Sequence, residues 1–154
     1  MGLFQTRLFE RALQQPWLIS LLKRIVPPLD KLLLKLSRGW VSTAMQSIVL
    51  VRVTGAKSGT QREIVTLCMP DGESIVLVGS NWGGDKHPAW VHNLRVNPLA
   101  HVIFRGYSGL VLARELAGEE RDSYWQRLVS FNPQYARYQS GTSRVLPVML
   151  LERT

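Results

Sequence analysis

The sequence predicts an α+β chain: a small barrel of six mainly antiparallel strands with helices outside it, preceded by a helical arm. Three observations carry this expectation. Runs rich in branched apolar residues, among them 48–54, 74–78 and 108–115, are separated by turns that bear glycine or proline. Residues 3–36 instead place their apolar side chains at helical spacing. Strands do not alternate with long helices, which sets a Rossmann sheet aside. We divide the chain where the pattern changes, into an N-terminal helical arm at 1–40 and a barrel domain at 41–154.

In the arm, Leu3, Phe4, Leu8, Phe9, Ala12 and Leu13 predict a helix over residues 3–14 that Pro16 ends or bends. A second helix is expected over 17–25. After Pro27-Pro28 a third, over 29–36, carries Leu29, Leu32, Leu33 and Leu36 on one stripe with Lys31 and Lys35 beside it. Strands follow at 48–54 and 63–69. Pro70-Asp71-Gly72-Glu73 is a turn by composition and should hairpin the second strand into a third at 74–78. Pro88 opens a short helix to Val96, and Asn97-Pro98 breaks the chain before strands at 100–105 and 108–115. Gly118-Glu119-Glu120 starts an acidic helix running to about Phe131, and Pro133 starts another that bears Tyr135 and Tyr138. Residues 145–151 form the sixth strand, which Pro147 confines to an edge, a bulge or its early positions.

A formal charge of +8 and a pI near 10.3 favour an anionic partner: a phosphorylated cofactor, a nucleic acid or an acidic membrane surface. Of these, nucleic acid is set aside, because the cations are spread over the arm and loops and no recognition helix or RNA-binding aromatic motif is visible. Cys68 is the only cysteine, so a disulfide within the chain and a thiolate metal site are both excluded, and a reducing cytoplasm fits. His87, His92 and His101 lack the spacing of a zinc site, so no metal is expected. Charges and prolines interrupt the arm's apolar runs well short of the roughly 20 residues that span a bilayer. The arm's basic amphipathic helices suit packing on the domain, pairing with a second copy, or an anionic membrane at the inner face of the cell.

Two loops carry the candidate chemistry. Residues 79–94 read as strand, loop and helix, with Gly83 and Gly84 allowing backbone N–H groups close to a ligand and Trp82 and Trp90 supplying flat apolar faces. Lys57-Ser58-Gly59-Thr60-Gln61-Arg62 sets two cations, two hydroxyls and a glycine between strands, a clamp for phosphate or carboxylate without Walker-loop spacing. No serine–histidine–acid order, carboxylate pair or metal signature is evident, so a bound cofactor would carry the reaction while the protein orients it and excludes water.

Taken together, Thr54-Gly55-Ala56-Lys57-Ser58-Gly59 with Arg62, Ser80-Asn81-Trp82-Gly83, His87-Pro88-Ala89-Trp90-Val91-His92-Asn93-Leu94 with Asn97-Pro98, Tyr135-x-x-Tyr138 and Thr142-Ser143-Arg144-Val145-Leu146-Pro147-Val148 resemble the deazaflavin-dependent nitroreductase and quinone reductase family over about Asp30 to Glu152. The resemblance implies a split β-barrel that uses reduced coenzyme F420 to reduce quinones and, in some members, nitroaromatic compounds. It assigns Lys57, Ser58, Gly59 and Arg62 to the cofactor's phosphate and acidic tail, and Ser80, Asn81, Ala89, Trp90 and Asn93 to the border of its ring. Tyr138, Tyr135 and Ser80 are then the candidate catalytic residues, with Tyr135 and Tyr138 on the substrate side. The chain departs from the family at Ala56, where a basic residue is usual, at Val91, where a tyrosine is common, and at Asn132, where an aromatic residue often precedes the proline. An FMN-binding reductase of the same architecture and a non-catalytic module for an anionic lipid or small molecule are the alternatives. The partners implied are the cofactor and a quinone-like substrate, with a homodimer or a membrane surface as candidates for the arm.

Overall fold

The structure is a computed structural model that describes residues 16–40 and 47–154. The helix expected over 3–14 lies outside the described residues. The first described element is α1 (Pro16–Leu36), one helix of 21 residues with Pro27 and Pro28 inside it. The sequence reading placed a break there, because a proline in a helix interior removes a donor and crowds the carbonyl four residues back. Both prolines are exposed, so water can satisfy the carbonyls they release.

Seven strands, not six, follow: β1 (Ile48–Thr54), β2 (Gln61–Leu67), β3 (Met69–Asp71), β4 (Ser74–Val78), β5 (Leu99–Phe104), β6 (Tyr107–Glu115) and β7 (Val148–Arg153). They form one antiparallel sheet in the order β2-β1-β5-β6-β7-β4-β3. The helices are α2 (Ala89–Val96), α3 (Gly118–Phe131) and α4 (Gln134–Ser140).

The extra strand arises at Cys68. The expected strand over 63–69 is cut there, so that β2 pairs only with β1 while β3 makes the hairpin with β4. Strands β2 and β3 are the two opposite edges of the sheet, yet only Cys68 separates them in the chain. The sheet must therefore curl until its edges meet, which turns a ribbon into a split barrel. Cys68 is fully buried at that seam, its N–H donates to the Ser47 carbonyl at 2.8 Å, and burial pushes its thiol up to about 12. Pro70 is tolerated because β3 is an edge strand.

Side chains alternate between two cores. Val49, Val51, Leu77, Val102, Val111, Met149 and Leu151 fill the barrel with Trp90 and Leu94 of α2. Val76, Val78, Val148 and Leu150 point the other way, into a second core with Leu128 of α3 and Tyr135 of α4. Strands β4 and β7 are thus buried on both faces, and this is why their sequences read as continuous apolar runs. A third, smaller cluster seats Leu34 of α1 on Ile48 and Leu50, and Glu63 receives Lys35 and Arg52, each at 2.9 Å. Those two cations hold the Glu63 carboxyl below its ordinary range.

Candidate active site

The wall of the site is built where β4 ends. Gly79 threads between Pro147 and Val91, and a Cβ there would stand 2.6 and 2.7 Å from their side chains. Its N–H is held by the Pro147 carbonyl at 2.9 Å. The next turn runs through three consecutive left-handed residues: Asn81 at φ 45°, Trp82 at 57° and Gly83 at 77°. Such conformations cost a non-glycine residue on the order of 1–3 kcal/mol and persist only when the surroundings fix them. Here the surroundings are visible. Gly83 lies against α4, where a Cβ would stand 3.3 Å from the Tyr138 Cα and carbonyl oxygen, and Arg144 donates to the carbonyls of Gly79, Ser80 and Gly84.

The turn presents Trp82 to solvent, 78% exposed, with its ring edge-on to Tyr138 at 6.3 Å and 76°. Lys23 of α1 sets its ammonium 5.9 Å from the indole centroid. Behind them opens a cavity of about 450 Å³, lined by Val26, Pro27 and Asp30 of α1, Ile48, residues 64–67 of β2, Val78, Ser80, Asn81, Trp82, Pro88, Trp90, Tyr135 and Tyr138. A drug-sized ligand fits a cavity of this size, and its walls are mainly aliphatic and aromatic with a few hydroxyl, amide and carboxyl groups. Tyr135 is only 3% exposed, and burial pushes its phenol up to about 12 with smaller contributions from Cys68 and Tyr138.

Of the residues singled out from the sequence, the cavity gathers Ser80, Asn81, Trp90, Tyr135 and Tyr138. Lys57, Ser58, Gly59, Arg62, Ala89 and Asn93 lie outside its lining. The basic loop is joined to it through α2 and β2. Asn93, one helical turn from Trp90, is 9% exposed and its Oδ1 accepts the Ala56 N–H at 2.9 Å. Arg62 falls within β2, so Arg62, Ile64 and Thr66 share a strand face, with Arg62 about 7 Å beyond Ile64. Gly55 lets the loop close on itself: a Cβ there would meet Ser58 Oγ at 2.6 Å and Arg62 Nε at 3.4 Å. Lys57 and Arg62 are exposed, and neither has a salt bridge among the described residues. Two exposed cations without a salt bridge among the described residues, beside a flat-walled cavity, fit a cofactor with a planar ring and an anionic tail.

One expectation is corrected. The Gly83 and Gly84 N–H groups do not face a ligand; they bond to the Ser80 and Asn81 carbonyls, each at 2.9 Å, and so close the turn. The sequence reading also missed Asp30, 5% exposed in the cavity wall, whose signal was an acid, one of two with Glu10, in a basic arm. It quoted Arg144 only within the 142–148 motif and gave it no role. No group of three or more His, Cys, Asp or Glu side chains is placed to hold a metal among the described residues.

Comparison with known proteins decides the family. Residues 33–153 match the family model described as F420H(2)-dependent quinone reductase. The chain belongs to the F420H(2)-dependent quinone reductase family. It is 32% identical over 108 residues to an F420H(2)-dependent quinone reductase of Mycobacterium tuberculosis, covering 68% of this chain and 72% of that one. Among solved structures, an F420-H2 dependent reductase superposes with a TM-score of 0.64 at 38% identity, covering 69% of this chain and 94% of that chain. A second, described as a domain-swapped dimer, gives 0.65 at 34% identity, with 81% and 99% covered. Membership makes the chain an oxidoreductase whose cofactor is coenzyme F420, in keeping with the cavity and the exposed cations above.

Proposed function

We propose that the protein reduces a quinone-like or nitroaromatic acceptor held in the cavity against Tyr138 and Trp82. The observation that supports this reading is the pairing of a mainly apolar cavity of about 450 Å³ with two exposed cations that form no salt bridge among the described residues. Bound there, reduced F420 supplies a hydride. The chain's own residues bind, orient and exclude water. Lys57, Ser58, Gly59 and Arg62 would hold the anionic tail; Ser80, Asn81 and Trp90, which line the cavity, would border the ring; Asn93 fixes the loop that carries Lys57. Tyr138 donates a hydrogen bond to the acceptor oxygen that gains negative charge, and water completes the protonation. Tyr135 shapes the wall.

Absorbance and fluorescence titrations of the purified protein with F420 and with FMN test the reading. It requires micromolar or tighter binding of F420 and much weaker binding of FMN. Equal or stronger FMN binding would move the assignment to an FMN reductase, and binding of neither to a non-catalytic module.

For α1 we propose contact with an anionic lipid surface. Trp17, Leu21, Ile25, Leu29, Leu32 and Leu36 form one exposed apolar stripe, and Lys23, Arg24 and Lys35 are exposed beside it. A lipid-soluble quinone would then reach the cavity past Val26 and Pro27. Among the described residues no helix is long and apolar enough to cross a membrane. Sedimentation with anionic vesicles should fall for a Leu21→Ser, Ile25→Ser, Leu29→Ser variant. Equal pelleting, with a concentration-dependent dimer lost in the variant, would assign the stripe to a second copy instead.

A further inference from the structure

Arg144 lies in the segment before β7 and has five N–H donors. Four of them are committed: Nε donates to the Gly84 carbonyl at 2.7 Å, Nη2 to the Ser80 carbonyl at 2.7 Å, and Nη1 both to the Gly79 carbonyl at 3.1 Å and to His87 Nδ1 at 2.9 Å. One planar group thus ties both ends of the Gly79–Gly84 loop and the residue that leads into α2. A guanidinium has no acceptor, so the contact with His87 requires Nδ1 to carry the lone pair. His87 is then neutral with its proton on Nε2. We propose that Arg144 is a positioning residue for the cavity wall and that its contact with His87 is a protonation-sensitive latch, closed when His87 is neutral and open when it is charged.

The surroundings of His87 are nearly all cationic. Arg144 faces it from the segment before β7, Arg95 and His92 from α2, with the His92 ring centroid at 5.9 Å, and only Glu115 of β6 opposes them. Glu115 is itself engaged by Arg95 in two hydrogen bonds of 2.7 and 2.8 Å. Within the loop, Asp85 and Lys86 flank the contact with one charge of each sign, and Asp85 acts on Arg144. Burial, then Arg144, Arg95 and His92, hold His87 below its ordinary range. A proton on Nδ1 deletes an acceptor and sets two cations against each other, so Arg144 must shift, and the carbonyls of Gly79, Ser80 and Gly84 shift with it. The turn that suffers holds Trp82 in a left-handed conformation that costs a bulky residue energy, next to Asn81 in the same region. The consequence for cofactor binding rests on the function proposed above, whereas the loosening of the loop does not.

Two readouts, followed from about pH 8 down to the acid limit of the folded protein because the step must lie below the ordinary imidazole value of 6.5, separate these. The first is amide exchange of Gly83 and Gly84 in the cofactor-free protein, divided by the intrinsic rate at each pH. The second is the F420 dissociation constant. The latch requires the parent's Gly83 and Gly84 protection to fall about tenfold toward acid, and F420 affinity to fall with it by a similar factor. His87→Gln, whose amide oxygen can still accept from Arg144, should flatten both profiles, and His92→Gln should leave the step in place. Arg144→Met should expose the loop at every pH without a step, and Arg144→Lys covers the case in which Arg144→Met does not fold. Identical pH profiles in the parent and His87→Gln would overturn the latch. If F420 binds none of the proteins while the exchange step follows His87, the latch stands and the cofactor reading falls.

Discussion

Asn93 Oδ1 accepts the Ala56 N–H at 2.9 Å across 37 residues of sequence, and this one contact ties the basic loop to the helix that supplies Trp90 to the cavity. A buried amide that loses its partner costs about 1–3 kcal/mol. Asn93→Leu should therefore destabilise the fold by about that amount and weaken F420 binding. Asn93→Asp, which keeps an acceptor, should retain more of the affinity. Calorimetric melting and cofactor titration of the two variants check this.

Lys57 and Arg62 are expected to act on the cofactor and on little else, since neither has a salt bridge among the described residues. Lys57→Ala and Arg62→Ala should each weaken F420 binding by about 1.5–3 kcal/mol, with a steeper salt dependence in the parent than in the variants. Their unfolding midpoints should stay within experimental scatter of the parent.

Tyr138 and Tyr135 should separate cleanly. Tyr138 is half-buried in the cavity wall beside Trp82, whereas Tyr135 belongs to the core under α3 and α4. Tyr138→Phe keeps the wall and removes a donor, so single-turnover reduction should slow about tenfold or more with cofactor affinity nearly unchanged. Tyr135→Phe should turn over like the parent. Stopped-flow comparison of the two decides whether the donor assignment holds.

Acid should loosen the contact between α3 and β3. Tyr124 Oη donates to Asp71 Oδ2 at 2.6 Å and Arg127 Nη2 to Asp71 Oδ1 at 2.7 Å, and these two donors, Arg127 first, hold the Asp71 carboxyl below its ordinary value of 3.8. The carboxylate form is thus favoured by folding. The stabilisation is fully present above the unfolded value and is lost as pH falls through the lower, folded one. Asp71→Asn should cost on the order of 1 kcal/mol at neutral pH, and its denaturation curve should converge on the parent's as pH falls through the lowered, folded value.

The parts of this molecule that were legible in its sequence are those fixed by local pattern. The β4 run Ser74-Ile75-Val76-Leu77-Val78 announced a buried strand, and the glycines and tryptophans at 79–90 marked the corner on which the cavity forms. The parts that were not legible depend on contacts distant in sequence. Cys68 ends a strand because it must cross the seam of a curled sheet, and nothing in its neighbours says so. The prolines of α1 read as a break because their exposure was unknown. Gly83 and Gly84 looked like ligand-facing donors until the Ser80 and Asn81 carbonyls were seen to take their N–H groups. Arg144 stands in a motif the sequence shows, but its partners lie 57 to 65 residues away, so its part in the wall could not be read there.

The central claim is that this cavity brings reduced F420 and a quinone together on one chain. Mixing the protein loaded with one equivalent of reduced F420 against a soluble quinone analogue, and following the deazaflavin absorbance through a single turnover, tests it directly. The account predicts rapid oxidation of the bound cofactor with stoichiometric quinol, saturable in quinone and slowed by Tyr138→Phe. Cofactor that binds tightly yet is oxidised no faster than in free solution would contradict it.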